Sequence, residues 1–427
     1  MLNREQIGEL RGQYLGPSYS VSYKKPLHIV RGEGQYLFEV NGKRYLDAVN
    51  NIQHVGHCHP KVVEAAQQQY EQLNTNTRYL DETIINYAKD LTDKLPDGLD
   101  VCFFTNSGSE SNDLALRIAR HYTQSKETIV LDAAYHGNLS SLIEISPYKH
   151  DGPGGEGAPG FVHTISMPDA YRGKYRGEKA TGGYVNEVQK TIQGIQNNGE
   201  KVPVFIAESL MGCGGQLILP KGFLKRSFEL VRESGGICIA DEVQIGFGRM
   251  GSHFWGFETC DVIPDIITMG KSMGNGHPLS AVVTTREIAD AFNNGMEYFN
   301  SFGGNPVSCA VGQAVLNVIE KEGLQQNSKD VGGYLLNQLD GIEHPLIGEV
   351  RGRGLFIGVE LVKDRGTLTP AAEEADEIIN RMKDGGILMS TDGPDRNVLK
   401  IKPPVIFTRE NADELVFNLT SIFDELS

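Results

Sequence analysis

The sequence predicts an α/β fold: a large domain with a mostly parallel sheet flanked by helices, plus a smaller α+β domain. Three observations predict it. Between about 100 and 270, short apolar β-rich runs alternate with helical stretches, the pattern of strand–helix–strand units. Three of those runs lead directly into an ionisable residue: Glu208, Asp241 and Lys271. After about 308 the texture changes to a helical stretch, then β-rich segments, then a closing amphipathic helix.

In chain order, 29–50 reads as short strands with an Asn41-Gly42 turn, a hairpin signal. The stretch 60–95 reads as helical. Strands are expected at 101–105, 128–131, 202–207, 236–240 and 265–269, with helices at 110–122 and 222–233 between some of them. The stretch 148–182, rich in Gly, Pro and charge, reads as an excursion from the sheet. Strands at 348–361 and 398–403 belong to the smaller domain. The expected division is an N-terminal segment, 1–55, contributing to the small domain; a large cofactor-binding domain, 56–308; and a C-terminal small domain, 309–427.

Bulk properties narrow the function. The 427 residues are 39% hydrophobic and 22% charged, enough for a large core. A net charge of −15 argues against nucleic acid or an anionic membrane as the main partner. It leaves room for a small anion in a local basic pocket. Cys58, Cys102, Cys213, Cys238, Cys260 and Cys309 form no CxxC pair and read as reduced thiols. The N-terminus shows no apolar signal region and no run approaches a membrane span, so a cytoplasmic location is expected.

In open α/β sheets, ligands bind beyond the carboxyl ends of the strands. A Lys shielded from water has its pKa lowered and can form Schiff bases or act as a general base. Pyridoxal 5′-phosphate (PLP) needs such a Lys, together with an acid that keeps its pyridine nitrogen protonated. Lys271 and Asp241 are the catalytic candidates for these roles. Residues 105–112, Thr-Asn-Ser-Gly-Ser-Glu-Ser-Asn, follow a strand and open a helix. Such a turn presents free N–H groups to a phosphate, with Ser107, Gly108 and Ser109 as the candidates. Tyr135 and His136 follow the next strand, and Tyr135 could stack on the ring.

Other motifs fail on spacing. Gly270-Lys271-Ser272 resembles the end of a P-loop, but the pattern needs Gly where Asp265 stands. Gly246, Gly248 and Gly251 satisfy GxGxxG but do not open a helix. His54, His57 and His59 lack companions at metal-ligand spacing, so no metal is expected.

Four segments in order, SGSES (107–111), IADEVQIGFGR (239–249), TMGKSMGNG (268–276) and FGGNP (302–306), resemble the class III PLP-dependent aminotransferases of fold type I. The resemblance implies that Gly108 and Ser109 hold the phosphate and Tyr135 stacks on the ring. It sets Asp241 at the ring nitrogen, Gln244 near the ring hydroxyl and Lys271 in the covalent link; Glu208 and His136 join this set. It implies a homodimer, with a tetramer as the alternative, and Ser301 reaching the phosphate of the other subunit where the family usually has Thr.

A narrower resemblance rests on NNIQHVGHCHP (50–60), LNTNTRYL (73–80), AYHGNLSSLIEISPYK (134–149), DAYRGKYRGE (169–178) and VLKIKPP (398–404). These are similar to the ethanolamine-phosphate phospho-lyase subgroup, which performs β-elimination. Amino-acid transaminases usually carry Arg before the Pro pair to clamp a carboxylate; this chain has Lys400, and Arg to Lys at a bidentate site is not conservative. The resemblance therefore implies a small phosphate- or phosphonate-bearing amine as substrate. The products would be an aldehyde, ammonia and phosphate. An ammonia-lyase acting on 1-hydroxy-2-aminoethylphosphonate to give phosphonoacetaldehyde is an alternative, and a class III ω-aminotransferase is another. Arg78, Lys400 and Asn51 are the substrate candidates. Arg78 comes first for the anion, with Lys149, Arg172 and Lys174 as further basic residues.

Overall fold

The computed structural model describes residues 2–201 and 203–426; Val202, expected to open a strand, lies outside them. The chain begins with helix α1 (Arg4–Tyr14) and a meander of β1 (Ile29–Glu33), β2 (Tyr36–Glu39) and β3 (Arg44–Asp47). The β2–β3 turn falls at Asn41-Gly42, where Gly42 takes φ +87°, a conformation that favours glycine. Helices α2 (Pro60–Gln72) and α3 (Glu82–Thr92) divide the stretch read as continuously helical.

Then comes the alternation. It runs through β4 (Val101–Thr105), α4 (Gly108–Thr123), β5 (Thr128–Leu131), the short α5 (Ser140–Ile143) and α6 (Pro147–His150), β6 (Val162–Ile165) and α7 (Ala180–Asn197). It continues with β7 (Val204–Glu208), a small hairpin of β8 (Leu210–Met211) and β9 (Leu217–Ile218), and α8 (Phe223–Glu233). It closes with β10 (Ile237–Asp241), β11 (Ile266–Met269), β12 (Ser280–Thr284) and α9 (Arg286–Phe292).

Seven strands form one sheet in the order β4-β12-β11-β10-β7-β5-β6. Strand β12 runs antiparallel to β4 and β11, while β11, β10, β7, β5 and β6 pair in parallel. Two of its strands differ from the sequence reading. The connection 270–279 is too short for a helical crossover, so β12 returns antiparallel. Strand β6 is four residues on the sheet edge, inside the Gly- and Pro-rich stretch read as an excursion.

Burial on both faces explains the near-continuous apolar runs. Val204, Ile206, Ile237 and Ile239 pack with Leu114 and Ile118 of α4. Phe205, Ala207 and Cys238, one residue out of phase, pack with Tyr184 of α7 and Phe223 of α8. The register aligns Asp241 with Glu208 on one side and Thr268 on the other, at the carboxyl edge of the sheet.

The remainder holds α10 (Pro306–Lys321), α11 (Leu324–Asp340), β13 (Ile347–Arg353), β14 (Phe356–Asp364), β15 (Thr369–Pro370), α12 (Ala372–Asp384), β16 (Ile387–Leu388), β17 (Ser390–Asp392), β18 (Val398–Ile401) and α13 (Arg409–Leu426). Strands β13, β14, β18 and β17 form an antiparallel sheet. Strand β16 pairs with β3, tying the N-terminal segment to the C-terminal part. Helix α10 packs on α2 and α3: a Cβ at Gly312 would lie 2.4 Å from the Tyr87 ring.

Candidate active site

A cavity of about 110 Å³ opens at the carboxyl edge of the sheet. Ser107, Gly108, Ser109, Tyr135, His136, Glu208, Asp241, Gln244 and Lys271, named from sequence, all line it. Asn112, Gly137 and Val243 complete the lining and were not singled out. The Ser107 hydroxyl caps α4 by accepting from the Glu110 N–H at 3.2 Å. No acceptor among the described residues meets the N–H groups of Gly108 and Ser109, which head a 16-residue helix. Two glycines shape this cradle. A Cβ on Gly108 would lie 2.7 Å from the Val243 side chain; one on Gly137 would lie 2.4 Å from Leu142 and 2.7 Å from the Ser109 hydroxyl. Free N–H groups and the positive end of a helix dipole fit a phosphate.

Asp241 is held on several sides. One carboxylate oxygen accepts from Asn112 Nδ2 at 2.8 Å and meets His136 Nδ1 at 2.8 Å; the other accepts from the Val243 N–H at 3.1 Å. Asn112 has one signal available from sequence: it lies one helical turn after Ser109, facing back toward the sheet. Glu208 accepts from the Gly212 N–H at 3.0 Å, and its other oxygen is buried without a partner. Burial, with Asp241 adding to it, pushes the Glu208 carboxyl up to about 7. Burial pulls the Lys271 ammonium down, against the opposing pull of Asp241. The donor set fits PLP: N–H groups for the phosphate, a fixed carboxylate for a protonated ring nitrogen, and a buried amine for the aldehyde carbon.

The mouth is different. Lys400 Nζ pairs with Asp392 Oδ2 at 3.2 Å. Lys402, passed over in the sequence reading, is fully buried; its Nζ donates to Gln244 Oε1 at 3.1 Å and lies 3.8 Å from Asp392. Asn51 Nδ2 donates to the same Gln244 oxygen at 3.1 Å. A larger cleft of about 920 Å³ is lined by Tyr23, Tyr148, Lys149, Thr391, Asp392 and Arg396, among others. Lys149 Nζ sits 5.7 Å from the ring centres of both Tyr135 and Tyr148. Lys149 and Arg396 have no carboxylate partner among the described residues. Two of the cleft's acids are ion-paired, Asp376 with Lys24 and Asp392 with Lys400; Asp392 also accepts from Gln216, and Asp132 from the Ala133 N–H.

The remaining candidates lie apart from this chain's cavity. Arg78 is exposed, bonded to both oxygens of Glu297 at 3.2 Å and lying over the Phe299 ring. It sits in the connection between α2 and α3. Ser301 is exposed on the same surface, where Thr77 approaches Gly304. Arg172 bonds Glu360 and Asp395, and Lys174 bonds Glu187. His54, His57 and His59 go separately to the Phe247 carbonyl, Asp47 and Glu322.

A large domain built on this sheet, with a lysine, a clamped aspartate and a phosphate cradle along one edge, defines a PLP enzyme of fold type I. The model of the aminotransferase class-III family matches residues 18–423, and the chain belongs to that family. Its cofactor is pyridoxal 5′-phosphate. A Drosophila melanogaster protein named alanine–glyoxylate aminotransferase 2-like is 49% identical, over 99% of this chain and 89% of that one. The Caenorhabditis elegans ethanolamine-phosphate phospho-lyase homolog 1 is 41% identical, over 98% of this chain and 93% of that one. The structure of an Arthrobacter phospholyase in complex with phosphoethanolamine superposes with a TM-score of 0.93 at 39% identity, covering 99% of this chain and 100% of the other. No helix among the described residues is long and apolar enough to cross a membrane.

Proposed function

We propose that this enzyme is a lyase that eliminates from a small amine carrying a phosphate or phosphonate group, in the phosphoethanolamine manner, releasing aldehyde, ammonia and phosphate. The observation that carries the reading is the pair of cations without a carboxylate partner among the described residues, Lys149 and Arg396, in a cleft that Lys149 borders where it lies 5.7 Å from the ring centre of Tyr135, a residue of the cofactor cavity. A substrate dianion supplies the charge they lack. Lys400 stands where a carboxylate-clamping Arg would serve an amino-acid transaminase, and it is already paired with Asp392.

PLP, when bound, acts as an electron sink that acidifies the carbon bearing the amine. Lys271 removes the proton from that carbon, and the phosphate leaves the neighbouring carbon with its bonding electron pair; burial keeps the Lys271 amine poised as the base. Asp241, fixed by Asn112 and His136, holds the proton on the ring nitrogen. Lys149 and Arg396 receive the charge of the departing phosphate. Water then converts the released enamine to aldehyde and ammonia.

A second reading, an ω-aminotransferase, is favoured by the Drosophila relative. A third, loss of hydroxide and then ammonia from 1-hydroxy-2-aminoethylphosphonate, uses the same anion site. Incubation with phosphoethanolamine and with the hydroxy-phosphonate separates them. Phosphate, ammonia and aldehyde in equal amounts from the first supports the phospho-lyase. Ammonia without phosphate from the second alone supports the ammonia-lyase. Amino transfer to a keto acid, with no elimination from either, sinks both lyase readings.

A further inference from the structure

Gln244 lines the cofactor cavity, and which end of its amide faces the cofactor is decided by its neighbours. Oε1 accepts two hydrogen bonds, from Asn51 Nδ2 and Lys402 Nζ, both at 3.1 Å. No acceptor among the described residues meets Nε2. The amide lies flat against Gly212, where a Cβ would sit 2.7 Å from Nε2. An Asn–Gln pair alone is degenerate. Both amides can turn over together, exchanging the donor and acceptor roles, and the bond between them survives. An ammonium breaks that degeneracy because it only donates. Turned over, Gln244 would bring its NH₂ against the Lys402 ammonium, two donor groups face to face in a buried site.

We propose that Lys402 is a positioning residue: its ammonium, with Asn51, locks Gln244 so that the amide N–H₂ is presented to the cofactor's ring hydroxyl oxygen. The proposal rests on the PLP assignment and not on the lyase reading. The ammonium is costly to keep where it is. It is fully buried near the Phe356 ring; burial pulls its pKa down, and Asp392 at 3.8 Å favours keeping the proton. The other groups facing it are Lys400, which opposes its charge, and Cys213 and Glu208, which favour it. A neutral, apolar side chain at this position would avoid that cost, so the lock is what the buried charge provides.

A donor to the ring oxygen favours its deprotonated form. The test is the visible absorbance of the PLP-loaded protein as a function of pH, with no substrate present. Lys402→Met should raise the midpoint of that titration by about one pH unit, the size of one hydrogen bond to a charged group. Gln244→Glu, which can only accept at neutral pH, should raise it further. Adding Asn51→Leu to Lys402→Met removes the acceptor that stabilises the turned-over amide. That double variant should return toward the wild-type midpoint, a rescue that mere loss of a charge does not give. If Lys402→Met does not fold, Lys402→Gln serves: its amide both donates and accepts, so it restores the degeneracy and raises the midpoint. An unchanged or lowered midpoint on replacing Lys402, or a double variant that stays where Lys402→Met lies, overturns the proposal.

Discussion

The floor of the cavity and its mouth are built on opposite principles. On the floor, charge is fixed in place by its neighbours: Asp241 is gripped by Asn112, His136 and the Val243 N–H, and the cradle N–H groups are pinned by the helix that carries them. In the neighbouring cleft, Lys149 and Arg396 have no carboxylate partner among the described residues, while Asp376 and Asp392 pair with Lys24 and Lys400. The floor is preorganised for a resident cofactor; on the proposed reading, the cleft cations wait for a substrate that comes and goes. Preorganised groups need no rearrangement at the moment of reaction, whereas groups awaiting an anion must be solvated until it arrives.

The contrast predicts a gradient of effects. Lys271→Ala removes both the covalent anchor and the base, and turnover should fall at least about 1,000-fold. Borohydride treatment should then fix no PLP to the chain; labelling at wild-type yield would contradict the assignment. Asp241→Asn should keep the fold and lose roughly 100-fold in kcat, because a neutral amide cannot hold the ring proton. Unchanged kcat would move the nitrogen's partner elsewhere.

The mouth should respond more mildly and selectively. Lys149→Ala and Arg396→Ala should each lower kcat/KM for a phosphorylated amine about 30-fold, near 2 kcal/mol, with PLP affinity unchanged. Arg78→Ala is the informative comparison. Its guanidinium is already paired with Glu297. A larger loss from Arg78→Ala than from Lys149→Ala would transfer the anion site from the cleft to Arg78.

The smallest effect concerns stability. Glu242 is buried behind the floor, accepting from the Gly256 and Phe257 N–H groups at 2.8 Å. Burial nevertheless pushes it up to about 7. Between its unfolded pKa, about 4.3, and that value, the native state binds the extra proton, so stability falls as pH rises through this window. Glu242→Gln should flatten that part of the Tm-against-pH curve in the apoprotein. An unaltered slope would assign the titration to Glu208.

Legibility in the sequence follows the same division. Floor residues sit at fixed offsets from strand ends and from one helix start, so Glu208, Asp241, Lys271 and Gly108 could be read from local pattern. Strand β12 could not be, because SAVVT carries no signal that distinguishes an antiparallel return from a further parallel strand. Mouth residues are joined across the chain. Lys402 and Asn51 meet at Gln244 from far apart in sequence, and nothing local marks a Lys before a Pro pair as buried. Arg78 sits in a polar run that suggests an oriented guanidinium; its partner Glu297 lies 219 residues on. Whether a cation is free or already paired depends on such distant partners, so choosing among Arg78, Lys149 and Arg396 required the structure.

The central claim is that the cations at the mouth serve an eliminating enzyme rather than a transaminase. The direct measurement is product formed per active site from phosphoethanolamine, in PLP-loaded enzyme with no keto acid present. Elimination leaves the cofactor ready for the next substrate, so many equivalents of aldehyde, ammonia and phosphate should accumulate. A single equivalent at most, with turnover restored only by pyruvate or 2-oxoglutarate, would contradict it.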